Sequence, residues 1–190
     1  MVTNQEHYDY FLTAYPKDDA KAVGWADKDR QGKRFKILLE ISNVTNSMIL
    51  DVGCGLGTLL KHIPKNSRYT GIDIHEGMLK RARQNYPANN FYKCSLDHYM
   101  GKADWVICSG TFNIKVNNNI KQINESLDYM YNICRKGISI NMLSSYAKKK
   151  YDQLYYFSPE YLLRHCLLKF KKVILRHDYS TQDFTLYIYK

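Results

Sequence analysis

Met48-Ile-Leu-Asp-Val-Gly-Cys-Gly-Leu-Gly57 joins a short apolar run to three glycines at alternate positions. The run from Met48 to Val52 is typical of a buried strand of a parallel sheet, because glycines stop it within a few residues. Gly53, Gly55 and Gly57 predict a sharp turn, since glycine adopts backbone torsions that other residues avoid. Their missing side chains would also let a ligand lie against the main chain. After the turn we expect a short amphipathic helix with Leu59, Leu60 and Ile63 on one face.

A second apolar run, Tyr69 to Ile72, predicts a neighbouring strand, and Asp73 follows it directly. Asp73 stands 22 residues after Asp51. In nucleotide-binding α/β folds, an acidic residue about 20 residues beyond the glycine turn hydrogen-bonds the ribose hydroxyls. Asp73 is therefore predicted to accept hydrogen bonds from the two hydroxyls of a ribose.

The glycine spacing narrows the kind of nucleotide. A dinucleotide fingerprint, G-x-G-x-x-G, needs a third glycine where Thr58 stands, and the Lys-Ser/Thr pair of a P-loop is missing. The run from Asp51 to Gly57 instead resembles the first motif of the class I S-adenosylmethionine-dependent methyltransferases. Tyr69-Thr-Gly-Ile-Asp-Ile74, followed by Glu76-Gly-Met-Leu79, resembles their second motif. A glycine-rich turn that binds nothing is the alternative, and its pairing with Asp73 argues against it.

The resemblance implies S-adenosylmethionine as the cofactor and S-adenosylhomocysteine as its product. Comparable enzymes often carry Gly-Asp after the third strand, where the aspartate binds the adenine amino group, but here Cys94-Ser95 takes that place. We expect the Ser95 hydroxyl, or the backbone at Leu96, to bind adenine instead. The residues expected at the cofactor are Asp51, Gly53, Cys54, Gly55, Gly57, Asp73, Ile74, Met78, Ser95, Leu96, Ser109 and Gly110.

The segment ahead of the first strand, residues 1–45, is expected to form a helical lid over cofactor and substrate, as in the methyltransferases that this sequence resembles. Tyr15, Trp25 and Arg34 are the candidates for contacts from the lid. Arg34 would bind the methionine carboxylate of the cofactor, since a guanidinium makes strong charge-assisted hydrogen bonds. For each of the three residues, a purely structural role is the alternative.

Periodicity divides the chain into alternating helices and strands. Gly137 is expected to end the long helix ahead of it, and Ser158 should cap the helix that begins at Pro159. Helices are expected over 4–15, from 27 or 29 to about 41, and over 76–86, 120–134 and 158–166, with a loop over 16–27. Strands are expected over 48–52, 69–72, 91–94, 103–108, 138–143, 170–177 and 184–189.

The fold class that these elements and the resemblance imply is α/β. We expect a Rossmann-like three-layer α/β/α sandwich that spans residues 1–190 as a single domain. Its sheet should have seven mostly parallel strands in the order 3-2-1-4-5-7-6, with one antiparallel strand in the closing hairpin.

We expect a cytoplasmic protein that does not bind a membrane and that is a monomer or a homodimer. The N-terminus lacks an apolar signal region, and apolar runs fall short of the roughly 18 residues of a membrane helix. Five scattered cysteines without a C-x-x-C pair indicate reduced thiols and no metal site. The net charge of +10 would suit a polyanion, but basic residues are spread out, and the run Lys148 to Lys150 reads as a solvated loop.

The turn after the fourth strand, Ser109-Gly-Thr-Phe-Asn113, lacks the motifs of enzymes that methylate nucleic-acid bases. It resembles small bacterial methyltransferases of small-molecule type. The leading hypothesis is therefore a small-molecule substrate, namely a polar metabolite, sugar or biosynthetic intermediate. The polar and aromatic segment 144–157 would form a wall of its site. Two alternatives stay open: an RNA methyltransferase, which the basic charge favours, and a binding protein without catalysis.

Methyl transfer from a sulfonium needs alignment and exclusion of water more than a covalent residue. A hydroxyl acceptor would also need a general base, and His177 beside Asp178 is the best predicted pair, because an aspartate can orient an imidazole. A structural or surface role for His177 is the alternative. Weaker candidates are His7, Tyr8 and Tyr156, and an amine or carboxylate acceptor would need no such base.

Overall fold

Strands and helices alternate through residues 4–24 and 28–190, the part of the chain that this computed structural model describes. In this part the α-helices are α1 Asn4–Ala14, α2 Asp19–Ala22, α3 Lys28–Leu39, α4 Glu76–Asn85, α5 Asn119–Ile133 and α6 Pro159–Lys169. The strands are β1 Met48–Val52, β2 Arg68–Asp73, β3 Asn90–Lys93, β4 Ala103–Ser109, β5 Cys134–Leu143, β6 Lys172–Arg176 and β7 Asp183–Tyr189. Short 3₁₀ helices lie at Thr58–His62 and Leu96–His98.

The seven strands form one sheet in the order β3-β2-β1-β4-β5-β7-β6. Strands β1 to β5 pair in parallel, and β7 runs antiparallel to both β5 and β6. The predicted strand order and the single antiparallel strand are confirmed. The carboxyl ends of β1, β2, β4 and β5 therefore lie along one edge of the sheet, where open α/β sheets bind their ligands.

Helices cover both faces of the sheet, as alternate residues of β4 show. Val106 and Cys108 pack into a core with apolar residues of α5 and α6. Trp105 and Ile107, which point to the other face, pack into a core with residues of α3 and α4. Because successive strand residues point to opposite faces, one apolar strand serves both cores. The chain thus forms the three layers that its sequence predicts.

Two tyrosines of β7 hold the carboxyl end of α3 and the residues beyond it. The hydroxyl of Tyr187 donates to the carbonyl oxygen of Ile37, and that of Tyr189 donates to the carbonyl oxygen of Ile41 over 2.9 Å. The Ile37 carbonyl also accepts a hydrogen bond from the Glu40 amide over 3.2 Å, so Tyr187 gives a second partner to a carbonyl in the last turn of the helix. The helix ahead of the sheet is thereby joined to a strand about 150 residues later in the chain.

The expected short helix after the glycine turn is a 3₁₀ helix, which ends at His62, one residue before Ile63. Two other local expectations are wrong. The expected loop over 16–27 contains the one-turn helix α2, whose first amides are capped by the Asp18 carboxylate. Gly137 does not end α5, because the helix passes directly into β5 at Cys134 and the glycine lies inside that strand.

Gly137 is instead required by close packing within the sheet, and this predicts its response to substitution. An added Cβ would lie 2.6 Å from the carbonyl oxygen of Ile188 and 3.0 Å from the Trp105 ring. We expect Gly137→Ala to lower the free energy of unfolding by about 1–3 kcal/mol, the usual result of overpacking. Urea denaturation at equilibrium would measure it.

The matched control is Gly32→Ala, in the middle of α3. Its added Cβ has its nearest neighbour, the His62 ring, at 3.8 Å, an ordinary contact distance. Since alanine favours helix over glycine, this variant should be more stable than the wild type by about 0.5–1 kcal/mol. Equal stability of the two variants would contradict the packing explanation for Gly137.

Candidate functional site

A crevice of about 1690 Å³ lies at the carboxyl edge of the sheet. Residues from α1, α2 and α3 line it on one side, and the ends of β1, β2, β4 and β5 line it on the other. Sites for one small ligand usually measure about 300–1,000 Å³. The crevice therefore has room for two small molecules side by side.

The glycine turn has the predicted conformation. Gly53, Gly55 and Gly57 have φ values of +68°, +52° and +72°, in the left-handed region. A Cβ added at Gly53 would lie 2.2 Å from the Thr111 Oγ1, and one at Gly57 would lie 2.7 Å from the Phe91 ring. At these two positions the missing side chain makes room for other parts of the protein. The fold itself therefore needs these glycines, in addition to any ligand.

Asp73 lies at the end of β2 and lines the crevice. Its Oδ2 accepts a hydrogen bond from the Gly55 amide over 2.8 Å, and its Oδ1 accepts one from the His75 amide over 2.9 Å. Burial raises the pKa of Asp73, and these amide hydrogen bonds act in the opposite direction. An ionised carboxylate can accept about four hydrogen bonds, so acceptor capacity is left for ligand hydroxyls.

Asp51 lines the crevice from the carboxyl half of β1 and is almost fully buried. The Tyr69 hydroxyl donates a hydrogen bond to its Oδ2 over 2.8 Å. Burial raises the pKa of Asp51, the hydrogen bond from Tyr69 lowers it and the negative charge of Asp73 raises it; together they bring the pKa to about 7. Near neutral pH this carboxyl group is therefore poised between its two protonation states.

His75 was not predicted from the sequence, yet it joins the amino-terminal helices to the crevice. Its backbone amide binds Asp73, and its Nδ1 accepts a hydrogen bond from the Met78 amide and so caps α4. Its Nε2 lies 3.2 Å from the Asp9 carboxylate of α1. Histidine is an uncommon cap, so the sequence around it carried no signal for this role.

A second link holds the amino-terminal helices against α4. Arg81 of α4 hydrogen-bonds the Asp19 carboxylate of α2 and, over 3.3 Å, the carbonyl oxygen of Tyr15. Tyr15 itself lines the crevice and stacks on Phe11. Helices α1 and α2, which contribute lining residues to the crevice, are thus joined to the α4 region by side-chain contacts.

Of the three residues predicted to reach the site from the amino-terminal segment, two line the crevice. Tyr15 lines the crevice, as does Arg34, while Trp25 lies outside the described residues. Arg34 is buried and donates a hydrogen bond to the carboxylate of Asp183, at the start of β7. The sequence did not single out Asp183 as a partner, because 149 residues separate the two.

Most of the predicted cofactor residues do come together. Ser95, whose hydroxyl lies 2.7 Å from His98 Nδ1, borders the crevice at the end of β3. The Ser109 hydroxyl is buried and has no hydrogen-bond partner among the described residues, so it is free to bind a ligand. Gly57 does not line the crevice and instead precedes the first 3₁₀ helix. Those that line it are Asp51, Gly53, Cys54, Gly55, Asp73, Ile74, Met78, Ser95, Leu96, Ser109 and Gly110.

The predicted contact between His177, as general base, and the Asp178 carboxylate that would orient it is not formed. Asp178 binds Arg176 through both oxygens, at 2.7 and 2.8 Å, and these hydrogen bonds lower its pKa to about 2. The His177 ring packs near Tyr146 and Phe184, and its Nε2 is buried without a hydrogen-bond partner in the described part of the chain. Neither His177 nor Asp178 lines the crevice. Asp178 does not pair with His177 because its carboxylate binds Arg176, the residue directly before His177.

The weaker base candidates fare differently. Tyr8 lines the crevice, but burial and the charge of Asp73 raise its pKa, which keeps its hydroxyl protonated and so not available as a base near neutral pH. Tyr156 also lines the crevice, and its hydroxyl accepts a hydrogen bond from the Tyr151 amide over 2.9 Å. The side chain of His7 lies outside what the structure describes.

The segment 144–157 borders the crevice, where the sequence places a wall. Its backbone is tied to the turn after β4, since the Tyr155 amide donates to the Asn113 carbonyl over 2.8 Å and the Lys115 amide donates to the Gln153 carbonyl over 2.9 Å. The side chains that it contributes to the crevice are those of Lys149, Tyr151, Gln153, Leu154 and Tyr156.

Neither a membrane span nor a metal centre is found in the described ranges. No helix within 4–24 and 28–190 is long and apolar enough to cross a bilayer. Within the same ranges, no three His, Cys, Asp or Glu side chains are grouped so that they could hold a metal ion.

Comparisons with known proteins identify relatives of this chain. A family model described as "Methyltransferase domain" matches residues 49–137. "Putative methyltransferase Rv1506c" of Mycobacterium tuberculosis is 34% identical over 156 residues, 75% of this chain and 92% of that protein. The trans-aconitate 2-methyltransferase of Rhodopseudomonas palustris is 30% identical over 86 residues, 43% of this chain but 31% of that protein.

Solved structures resemble the whole fold at low sequence identity. The N-methyltransferase NodS of Bradyrhizobium japonicum, crystallised with S-adenosyl-L-homocysteine, has a TM-score of 0.73 and 13% identity, over 98% of this chain and 97% of that one. The small RNA methyltransferase HEN1 has a TM-score of 0.65 and 14% identity, over 84% of this chain and 25% of that one.

Proposed function

Because the chain belongs to the class I S-adenosylmethionine-dependent methyltransferases, we propose that it transfers the methyl group of S-adenosylmethionine to a small polar metabolite. The observation that carries this proposal is the crevice, which has room for cofactor and acceptor together and is lined in part by residues of α1 and α2. We infer that these helices cover the opening, and a covered crevice favours a small acceptor. The named substrate of one relative, trans-aconitate, is itself a small polar acid.

The residues of the crevice fit the cofactor. The free acceptor capacity of Asp73 suits two ribose hydroxyls, and the unpartnered Ser109 hydroxyl suits a polar group of the ligand. Ile74 is 59% exposed within the crevice, an apolar side chain that an adenine ring would cover. We assign the ribose to Asp73, the adenine to Ile74, Ser95 and Leu96, and the methionine part to the turns at Cys54, Gly55 and Gly110. Arg34 remains the candidate for the methionine carboxylate.

When bound, S-adenosylmethionine supplies a methyl group activated by its positively charged sulfur. The protein then has to align the acceptor and exclude water from the crevice. Helices α1 and α2, fixed to α4 through Asp9–His75 and Asp19–Arg81, provide the exclusion. The wall 144–157, tied to the turn after β4, provides a rigid border for the acceptor.

The test combines binding with turnover. Calorimetry should detect S-adenosylmethionine binding, and a screen of small metabolites should detect release of S-adenosylhomocysteine with at least one of them. Binding without release for any acceptor, RNA included, would favour the non-catalytic alternative.

RNA methylation is the second candidate, and the net charge of +10 favours it. An RNA substrate would require an affinity that falls steeply as salt increases, because basic side chains displace counterions from phosphates. We expect little RNA binding at physiological salt. Methyl transfer to RNA in place of small molecules would overturn the proposed substrate class.

Protonation of Asp51 should make cofactor binding depend on pH. A cationic ligand favours the ionised carboxylate, so binding should lower the pKa of Asp51 from about 7 and release protons below that pH. Affinity should therefore rise as the pH increases from about 6 to 8. Calorimetry in two buffers with different ionisation enthalpies would count the protons. Asp51→Asn should abolish the release, and proton uptake by the wild type would contradict the assignment.

A further inference from the structure

Charged side chains line both ends of the crevice. Asp73 and Asp97 lie at the ends of β2 and β3, where we place the cofactor. Lys33 and Lys149 lie toward the opposite end of the sheet order, beyond β5 and beside the turn that leads into β7. The end left for the acceptor is therefore basic.

Within the described residues, neither lysine at this end forms an ion pair with a carboxylate. The Lys33 ammonium donates to the carbonyl oxygen of Tyr179 over 2.8 Å, and the Lys149 ammonium lies 5.1 Å from the centre of the Tyr151 ring. The nearby Asp183 is bound by Arg34. Lys33 is close enough to Asp178 to lower the pKa of that carboxyl group, but both oxygens of Asp178 already bind Arg176. Two cationic groups thus remain for a ligand at this end.

Most side chains of the crevice that could accept a proton either contact other groups of the protein or lie at the cofactor end. His75 uses Nδ1 to cap α4 and holds Nε2 next to Asp9. Asp183 is paired with Arg34, and Glu125 lies 3.8 Å from Lys121. Asp51, Asp73 and Asp97 belong to the cofactor end. An acceptor that must lose a proton during methylation would therefore find no positioned base among these described residues. A carboxylate acceptor needs no base, because it is already ionised and nucleophilic.

We propose that the acceptor is a small carboxylic acid, which Lys33 and Lys149 attract and which is methylated on a carboxylate oxygen. This inference rests on the proposed function. One carboxylate oxygen donates an electron pair to the methyl carbon, the carbon–sulfur bond breaks with its electrons on sulfur, and no proton is released. The products are a methyl ester and S-adenosylhomocysteine. Because the ester has lost the charge that the two lysines attract, its release is favoured.

The first experiment measures binding to the protein saturated with S-adenosylhomocysteine. Succinate, glutarate, citrate and benzoate are titrated by calorimetry, each beside its neutral amide. We expect the acids to bind more tightly than the amides, and Lys33→Gln and Lys149→Gln to weaken acid binding about fivefold each. The control variants, Lys36→Gln on α3 and Lys148→Gln in the same lysine run, do not line the crevice and should leave it unchanged.

Acids that bind no better than their amides, or acid binding that neither Lys33→Gln nor Lys149→Gln weakens, would overturn the proposal.

The second experiment identifies the product. Methyl-tritiated S-adenosylmethionine is incubated with a library of small carboxylic acids, alcohols and amines, and the products are treated with alkali. Volatile labelled methanol, which a methyl ester releases, supports the proposal. Alkali-stable label overturns the acceptor class but keeps the methyltransferase, whereas no transfer at all contradicts the proposed function itself.

Discussion

Replacing Asp73 with alanine should weaken S-adenosylmethionine binding about ten- to a hundredfold, the loss expected for charge-assisted hydrogen bonds worth roughly 1.5–3 kcal/mol. The carboxylate would no longer accept the ribose hydroxyls. It would also no longer hold the Gly55 and His75 amides, at 2.8 and 2.9 Å, so the turn under the cofactor would lose two constraints. Isothermal calorimetry on the purified variant measures the change.

The matched control for Asp73 is Asp104→Ala. Asp104 also accepts a hydrogen bond from a backbone amide, that of Met48, over 2.9 Å. It lies at the opposite edge of the sheet, where β1 begins, and does not line the crevice. Its loss should leave cofactor affinity unchanged. If Asp73→Ala bound the cofactor as well as Asp104→Ala does, the ribose contact would be refuted.

Gly53→Ala should be the most damaging glycine substitution in the turn. Its added Cβ would lie 2.2 to 2.8 Å from three side-chain atoms of Thr111, at a φ of +68°. Overpacking of about 1–3 kcal/mol and left-handed strain of about 1–2 kcal/mol together predict a loss of about 2–5 kcal/mol in the free energy of unfolding. Thermal or urea denaturation would measure this loss, and cofactor binding should fall with it.

Two further variants separate the cost of a left-handed φ at alanine from the cost of the collision with Thr111. Gly24→Ala has a φ of +79° but meets no described atom within 4 Å, so it should lose only the strain of about 1–2 kcal/mol. Thr111→Gly removes the colliding atoms, so the double variant with Gly53→Ala should be more stable than the sum of the single changes predicts. Strict additivity of the two changes would show that Thr111 is not the obstacle.

The strand ends at the cofactor side of the crevice could be predicted because local patterns carry them, and the sheet order because the resemblance to the methyltransferases implies it. Apolar runs followed by glycine, or by an acidic residue, mark the strand ends that parallel topology gathers at one edge. The cap at Ser158 was predictable for the same reason: its hydroxyl accepts a hydrogen bond from the Tyr161 amide over 3.0 Å, three residues away.

Features that depend on distant residues could not be predicted. The hydrogen bond from Arg34 to Asp183 could not be predicted, because Asp183 lies on a strand far along the chain. Gly137 looked like a helix terminator because its packing against Ile188 is invisible to local periodicity. The run of three lysines looked uniform, yet within it only Lys149 lines the crevice, since the fold of the wall decides which side chain turns inward.

The insertion of β7 between β5 and β6 has a consequence for biosynthesis. While the ribosome is still making residues beyond β6, the edge of β5 that will receive β7 stays open, and α3 lacks the hydroxyls of Tyr187 and Tyr189. Open strand edges invite pairing with other chains, and contacts between distant residues form slowly. The nascent chain would therefore be most prone to aggregate just before β7 emerges, and it could not turn over substrate until that strand had docked.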